Sequence, residues 1–231
     1  MKKILIGMVV VMAFAFTACL DDNDENYSLN DMWAGFGVLK VEESGSYLIY
    51  LDSKEVLVPV ASGYQGWQED YENGDRIWVN YTILDQDLAD SKPRYYVKVN
   101  AIESVLMKGI LDITPEIEDS IGNDPIVVLN HWITDSLISF KLKYWGYDEI
   151  HFLNLVKQPG VITEEDQPIQ LELRHNANND DKVMPYTAFV SFSMNDLRIE
   201  GLDSVRFEFT STDYDGIEHT QEGVFNYADL E

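Results

Sequence analysis

Arg76-Ile77-Trp78-Val79-Asn80-Tyr81-Thr82-Ile83 is the stretch on which the fold turns. Ile77, Val79, Tyr81 and Ile83 fall on one side and Arg76, Trp78, Asn80 and Thr82 on the other. That period of two suits a half-buried strand and not a helix. Glu72-Asn73-Gly74-Asp75 supplies the turn that opens it. Upstream, Phe36–Glu42 reads as a strand, and so does Ser46–Leu51, with Tyr47, Ile49 and Leu51 on one face. Asp52-Ser53-Lys54 then turns the chain into Val56–Val60. Downstream, a polar loop from Asp85 to Lys92 precedes a strand that starts at Pro93 and runs through Tyr95, Val97 and Val99. Its parity slips to Ile102 and Val105, which predicts a bulge near Asn100. Five strands with a bent last one fit a small closed barrel of the OB type over residues 35–111.

The segment 112–125 breaks this pattern. Thr114-Pro115 predicts the start of one short helix and Gly122 its end, so the domain boundary is placed here as a linker. Alternation then returns. Ile138, Phe140, Leu142 and Tyr144 oppose Ser139, Lys141 and Lys143, and Ala188, Val190, Phe192 and Met194 oppose Thr187, Ser191 and Ser193. Ile169, Leu171 and Leu173, and Val205, Phe207 and Phe209, repeat the arrangement. With Ile126–Ile133, Ile150–Val156 and Gly223–Tyr227, seven strands are expected over 126–231. Each would have one dry and one wet face, the pattern of an immunoglobulin-like β-sandwich with no disulfide. The fold class expected is thus all-β, an OB-like barrel followed by a sandwich.

The 231 residues hold 16 Lys and Arg against 41 Asp and Glu, a formal charge of −25, with 45% apolar and 12% aromatic residues. Such a chain can bury a core, so its acidity belongs to the surface and not to disorder. No phosphate-neutralising patch is expected on so negative a surface, which excludes nucleic acid as a partner.

Residues 1–18 differ from the rest: Lys2 and Lys3 precede an apolar run from Ile4 to Phe16 and then small residues. That order is a signal peptide, and the run is short of the ~20 residues a membrane span needs. Phe16-Thr17-Ala18-Cys19 resembles a lipobox, with Phe16 in place of the more usual Leu, which implies that Cys19 becomes the acylated N-terminus. Two or three acyl chains make a stable bilayer anchor, at about 0.8 kcal/mol per buried CH₂. Cys19 is the only cysteine, so no disulfide or thiol nucleophile remains. Without Lys2 and Lys3 the mature chain has 14 basic and 41 acidic residues, a formal charge of −27. Leu20-Asp21-Asp22-Asn23-Asp24-Glu25 falls in an acidic tether over 19–34. The run resembles the stretch behind the lipidated Cys in surface-displayed lipoproteins, which implies a Gram-negative outer-membrane lipoprotein exposed on the cell surface. The periplasmic face is the alternative.

Catalytic motifs are missing from the sequence. His131, His151, His175 and His219 occur singly, without HExxH or His-x-His spacing, and no Gly-x-Ser-x-Gly elbow or phosphate-cradling loop is found. His151 and His175 fall in expected strands and read as hydrogen-bonded structural histidines. Asp213-Tyr214-Asp215-Gly216 has a fragment of a calcium loop but reads better as a hairpin turn. Asn178-Asn179-Asp180-Asp181 could hold a cation weakly, yet lies where a loop is needed. The expectation is a non-enzyme with no cofactor and no metal. Tyr64, Trp67 and Tyr71 are the candidate binding residues, three aromatics in a turn-rich segment that either stack on a ligand or cover the barrel end.

The segments Tyr27-Ser28-Leu29-Asn30-Asp31-Met32-Trp33, Gly74-Asp75-Arg76-Ile77, Val79–Leu84 and Tyr96–Asn100 carry a resemblance to the NigD-like family of lipoproteins, named from a bacteriocin locus. In the second half it continues through His151–Val156 and Glu172–Asn176. The resemblance implies an N-terminal OB-type domain and a C-terminal β-sandwich but no activity; a binding role toward a protein or a glycan is expected because binding is the more natural use of these folds. Bacteriocin immunity is implied only by the family's name; an accessory glycan-binding role in nutrient uptake is the alternative.

Replacing Cys19 by Ala is expected to release the chain from the membrane fraction; continued retention would count against the lipid anchor. Protease treatment of intact cells should degrade the protein, and complete protection would place it on the periplasmic face.

Overall fold

The computed structural model describes residues 30–43, 45–63, 70–88, 92–228 and 230. The expected signal peptide, Cys19 with most of the expected acidic tether, and Tyr64 and Trp67 lie outside the described residues.

Strands β1 (Trp33–Val41), β2 (Tyr47–Leu51), β3 (Val56–Ser62), β4 (Arg76–Asp87) and β5 (Arg94–Ser104) close into a barrel in the order β1-β2-β3-β5-β4. Ile77, Val79, Tyr81 and Ile83 point into its core with Leu39, Ile49, Leu57, Val97 and Val99. Closure of so few strands demands bends, and bulges supply them. Asn100 is the extra residue where β5 shifts register against β4, as the parity slip predicts. Leu84 in β4 and Val60 in β3 are two more. Both are exposed leucine and valine side chains, because an extra residue turns the apolar parity outward.

The chain enters the sandwich earlier than expected. Residues 106–112, assigned above to the barrel and the start of the linker, form β6 (Leu106–Gly109) and β7 (Leu111–Asp112). β6 pairs in parallel with β12 (Met184–Ser193), and β7 with β10 (Phe152–Lys157). This short run therefore crosses from one sandwich sheet to the other, with Ile110 in the core between them. Helix α1 (Glu118–Ile121) is also shorter than expected. Thr114 and Pro115 lie in a turn before it, the Thr114 carbonyl accepting from the Ile117 and Glu118 amides. Gly122 does end it, at φ 70, where a Cβ would lie 2.8 Å from that of Asn176.

The seven expected strands are β8 (Val127–Thr134), β9 (Leu137–Gly146), β10, β11 (Ile169–Asn176), β12, β13 (Ser204–Thr212) and β14 (Glu218–Asn226). They form one sheet in the order β14-β13-β11-β10-β7 and a second in the order β6-β12-β9-β8. Between the sheets, Phe140 meets Phe192 and Phe209 edge-on, with ring centroids 6.0 and 5.0 Å apart.

The polar faces are not all wet. Arg76 and Thr82 on β4, and Ser139 and Ser191 in the sandwich, are all buried. Thr82 accepts from the Asn100 side chain beside the bulge. Arg76, Ser139 and Ser191 meet where the barrel sits on the outer face of the second sheet. The Arg76 guanidinium donates two bonds to Asp52 (2.6 and 2.5 Å) and one each to Ser191 and Ser139 (3.1 and 3.2 Å). Trp132 Nε1 donates to the same Asp52 carboxylate at 2.7 Å. Phe36 of the barrel packs on Trp132 and Phe189, and the guanidinium lies over its ring. Alternation separates polar from apolar, but it cannot separate solvent from a polar interface.

The Arg76 side chain is 0% exposed, so its removal strands the Asp52 carboxylate and two hydroxyls at the seam. Arg76→Ala is expected to cost about 3–5 kcal/mol, the scale for breaking a buried pair. Urea unfolding should show a lowered midpoint and separate barrel and sandwich transitions; an unchanged single transition would refute this role.

Candidate functional site

At the end of the sandwich away from that seam, two loops meet. One, after β9, contains Tyr147, Asp148, Glu149, Ile150 and His151; the other, after β11, contains Asn178, Asn179, Asp180 and Asp181. Asn178 and Asn179 adopt left-handed backbone (φ 53 and 61), a conformation asparagine tolerates, and the turn they make aims Asp180 back at the first loop. Asp180 accepts from the amides of Tyr147 (2.5 Å), Asp181 (2.9 Å) and Asp148 (3.3 Å), and faces His151 Nε2 at 3.0 Å. His151 Nδ1 lies 2.8 Å from His175 Nε2, and His175 Nδ1 lies 2.9 Å from the Pro125 carbonyl. Gly146 makes this approach possible, because a Cβ there would stand 2.7 Å from Asp180 Oδ2 and 2.9 Å from His151 Nε2.

The partners assign the protons. A carbonyl only accepts, so His175 Nδ1 carries hydrogen, and while that ring is neutral its Nε2 is the acceptor toward His151 Nδ1. The Asp180 carboxylate also only accepts, so His151 Nε2 is a donor too. Burial alone would raise the Asp180 carboxyl, but the Tyr147 amide, the His151 ring and the Asp148 and Asp181 amides outweigh it and hold it at about 2. Burial lowers His175 below its ordinary value, with the neighbouring His151 adding to the effect and the Pro125 carbonyl opposing it.

All four ring nitrogens are engaged, and the His151 and Asp180 side chains are only 4% and 2% exposed. The relay is therefore a brace that fixes the tip. His175 lies in β11 as expected, while His151 lies one residue before β10. Above the brace, Tyr144 stacks on Tyr186 at 5.8 Å, and the Tyr186 hydroxyl donates to the Tyr147 carbonyl. They border a shallow pocket of about 210 Å³ with Asp148 and Glu149 on its rim. Tyr147 is 57% and Ile150 71% exposed. A larger cleft of about 390 Å³ lies at the barrel–sandwich seam, but three of its polar side chains already have partners: Asp52 with Arg76, Asp135 with Lys54, and Asn73 with the Val41 amide.

Of the candidate binding aromatics only Tyr71 is among the described residues, and it lies elsewhere. Tyr71 packs on the barrel core and donates its hydroxyl to the Ile102 carbonyl at 3.1 Å, so it covers the barrel end. Asp213 accepts from the Asp215 and Ile217 amides and pairs with His219 at 2.7 Å, closing the β13–β14 hairpin with Gly216 at φ 75. In the Asn178–Asp181 loop, Asp180 faces His151 and backbone amides. Among the described residues no group of three or more His, Cys, Asp or Glu is arranged to hold a metal ion. His131 packs between Phe140 and Phe209, and burial lowers it. The tip escaped the sequence reading because its residues come from four separate segments. Gly146 beside two aromatics and the paired asparagines were the traces it left.

Protonating His175 Nε2 would set two N–H groups face to face. Its folded value lies below the unfolded one near 6.5, so its contribution to stability is complete above that pH and is lost as pH falls through it. Asp180 adds a second window, between 3.8 and about 2. The thermal midpoint of the wild type is expected to fall from pH 7 to pH 5, and to fall less in His175→Gln; equal slopes would remove His175 from the account.

Residues 36–105 match the model of the NigD-like N-terminal OB domain, and residues 109–223 that of the NigD-like C-terminal β-sandwich domain. No curated protein matches the sequence. Among solved structures, a protein described as toxin-related from Parabacteroides distasonis is 29% identical with a TM-score of 0.71, over 87% of this chain and 96% of its own. A protein of unknown function from Bacteroides vulgatus is 24% identical, TM-score 0.68, over 85% and 91% of the two chains. A NigD-like immunity protein from Bacteroides caccae is 15% identical, TM-score 0.60, over 85% and 93%. At these last two identities the likeness is one of fold. With both domains matched in order, along the barrel and the sandwich just described, the chain belongs to the NigD-like family.

Proposed function

We propose that the protein is a non-catalytic, lipid-anchored binding protein of the outer membrane, displayed on the cell surface, whose sandwich tip engages a protein partner in an immunity role toward a bacteriocin-type toxin. The observation that carries this reading is the braced tip. A buried relay holds Tyr147, Ile150 and Tyr186 outward beside Asp148 and Glu149, so the cost of ordering an aromatic anchor is met before a partner arrives. The chain's charge of −25 favours encounter with a cationic partner. Family membership and the 29% identical toxin-related structure support the immunity reading. A reactive role has no support at the tip, where each ring nitrogen already has a partner.

Cells that lack the protein should become sensitive to bacteriocin released by neighbouring strains, and the wild-type chain should restore resistance. Tyr147→Ala combined with Ile150→Asp, at wild-type surface levels, is expected to fail to restore it. Full protection by that variant would remove the tip from the reading.

A further inference from the structure

The barrel covers only one end of the outer face of the β6-β12-β9-β8 sheet. From the edge of the seam outward the residues of β9 are Lys141, Lys143 and Trp145, directly opposite Phe189, Thr187 and Pro185 of β12, with Phe189 itself under Phe36 of the barrel. Lys141 Nζ lies 5.7 Å from the centre of the Phe189 ring, and Lys143 Nζ lies 4.5 Å from that of Trp145. Tyr214 reaches over from the β13–β14 hairpin. Its hydroxyl accepts from the Trp145 amide at 3.0 Å, and its ring meets Trp145 edge-on at 4.6 Å. Lys182 Nζ is 5.2 Å from the Tyr214 ring.

Three lysines thus alternate with three aromatic rings on one face. Among the described residues, none of these ammonium groups has a carboxylate oxygen within 4.0 Å. In a chain with 41 acidic and 16 basic residues, carboxylates are the partners most available to any lysine. The adjacent Asp180 and Asp213 are turned away, the first to His151 and the second to His219. The face is therefore a cluster of ammonium groups that lie on rings and not on carboxylates, and charges farther away than a Debye length of about 8–10 Å act on it only weakly.

We infer that this face binds a short acidic oligosaccharide of the uronate class. Sugar carboxylates pair with the lysines, and the apolar faces of the pyranose rings lie on Trp145 and Tyr214. From Lys141 to Trp145 the strand spans ~13 Å at about 3.3 Å per residue, which favours a short oligomer. A phosphate head group would use the ammonium groups and leave the rings without a role, and a long polyanion is opposed by the charge of the whole chain. These residues are distinct from those of the tip, so this site stands apart from the immunity reading.

The test uses the full-length protein in non-ionic detergent, with tetragalacturonate as the probe and maltotetraose as its neutral counterpart, measured by calorimetry. Tetragalacturonate should bind, more weakly at higher salt, and maltotetraose should not. Lys141→Gln, Lys143→Gln and Lys182→Gln together are expected to weaken binding at least about tenfold. Lys40→Gln, which removes a similar lysine from over the Tyr50 ring in the barrel, should leave binding unchanged. Trp145→Ala should also weaken it; the backbone bond to Tyr214 does not depend on that side chain, and the thermal midpoint checks the fold. Absent tetragalacturonate binding, equal binding of maltotetraose, or an unaffected triple variant would each overturn the inference. So would capture by phosphatidylglycerol vesicles without sugar binding.

Discussion

A single buried guanidinium sets how the two domains sit. Arg76 comes from the barrel strand that carries the clearest alternation, and its side chain is fully enclosed by Asp52, Ser139, Ser191 and the Phe36 ring. A charge in that position is tolerable only when its donors are matched, and here four hydrogen bonds reach a carboxylate and two hydroxyls. Asp52 is fixed in turn by Trp132 of the sandwich. The barrel can therefore dock in one orientation, with Phe36 against Trp132 and Phe189. That orientation decides which end of the outer sheet is covered, and so leaves Lys143 and Trp145 beyond the seam.

The strong acidity of the chain acquires structure in this light. Several carboxylates have specific internal duties: Asp52 holds the seam, Asp180 holds the tip and Asp213 closes a hairpin. Lys157 is bonded to Asp112 at the start of the sandwich. Against that background, three lysines of one sandwich face lie on aromatic rings and not on carboxylates, as Lys40 does over Tyr50 in the barrel. Two surfaces of opposite character result, an acidic aromatic tip and a basic aromatic face. Both are borne by the sandwich, and the barrel's part is to set how much of its outer sheet stays open.

Much of the fold was legible because burial in a sheet writes a period of two into the chain. The strand at Ile77–Ile83, the slip at Asn100 and the Asp-Gly hairpin each follow from local chemistry: alternation, parity and turn geometry. The reading failed where an element lacked a pattern of its own. Leu106–Asp112 is too short for alternation to assign it to a sheet, and only its partners on β12 and β10 do so. The tip was illegible for a related reason. A His at 151 and a His at 175 look solitary in sequence, and nothing local says that their rings will stand 2.8 Å apart.

The sequence by itself determined that the chain is all-β, that it divides into a barrel-like and a sandwich-like half, and that Cys19 is followed by an acidic run. These depend on composition and on short-range periodicity, which neighbouring residues enforce on one another. Only the tertiary structure decided that Arg76, Ser139 and Ser191 face an interface and not water. It also brought His151, His175 and Asp180 into one relay, and gathered Trp145, Tyr214 and three lysines on one face. Each of those outcomes joins side chains far apart along the chain. Polar alternation specifies which way a side chain points, whereas what it meets there is set by the packing of the other strands.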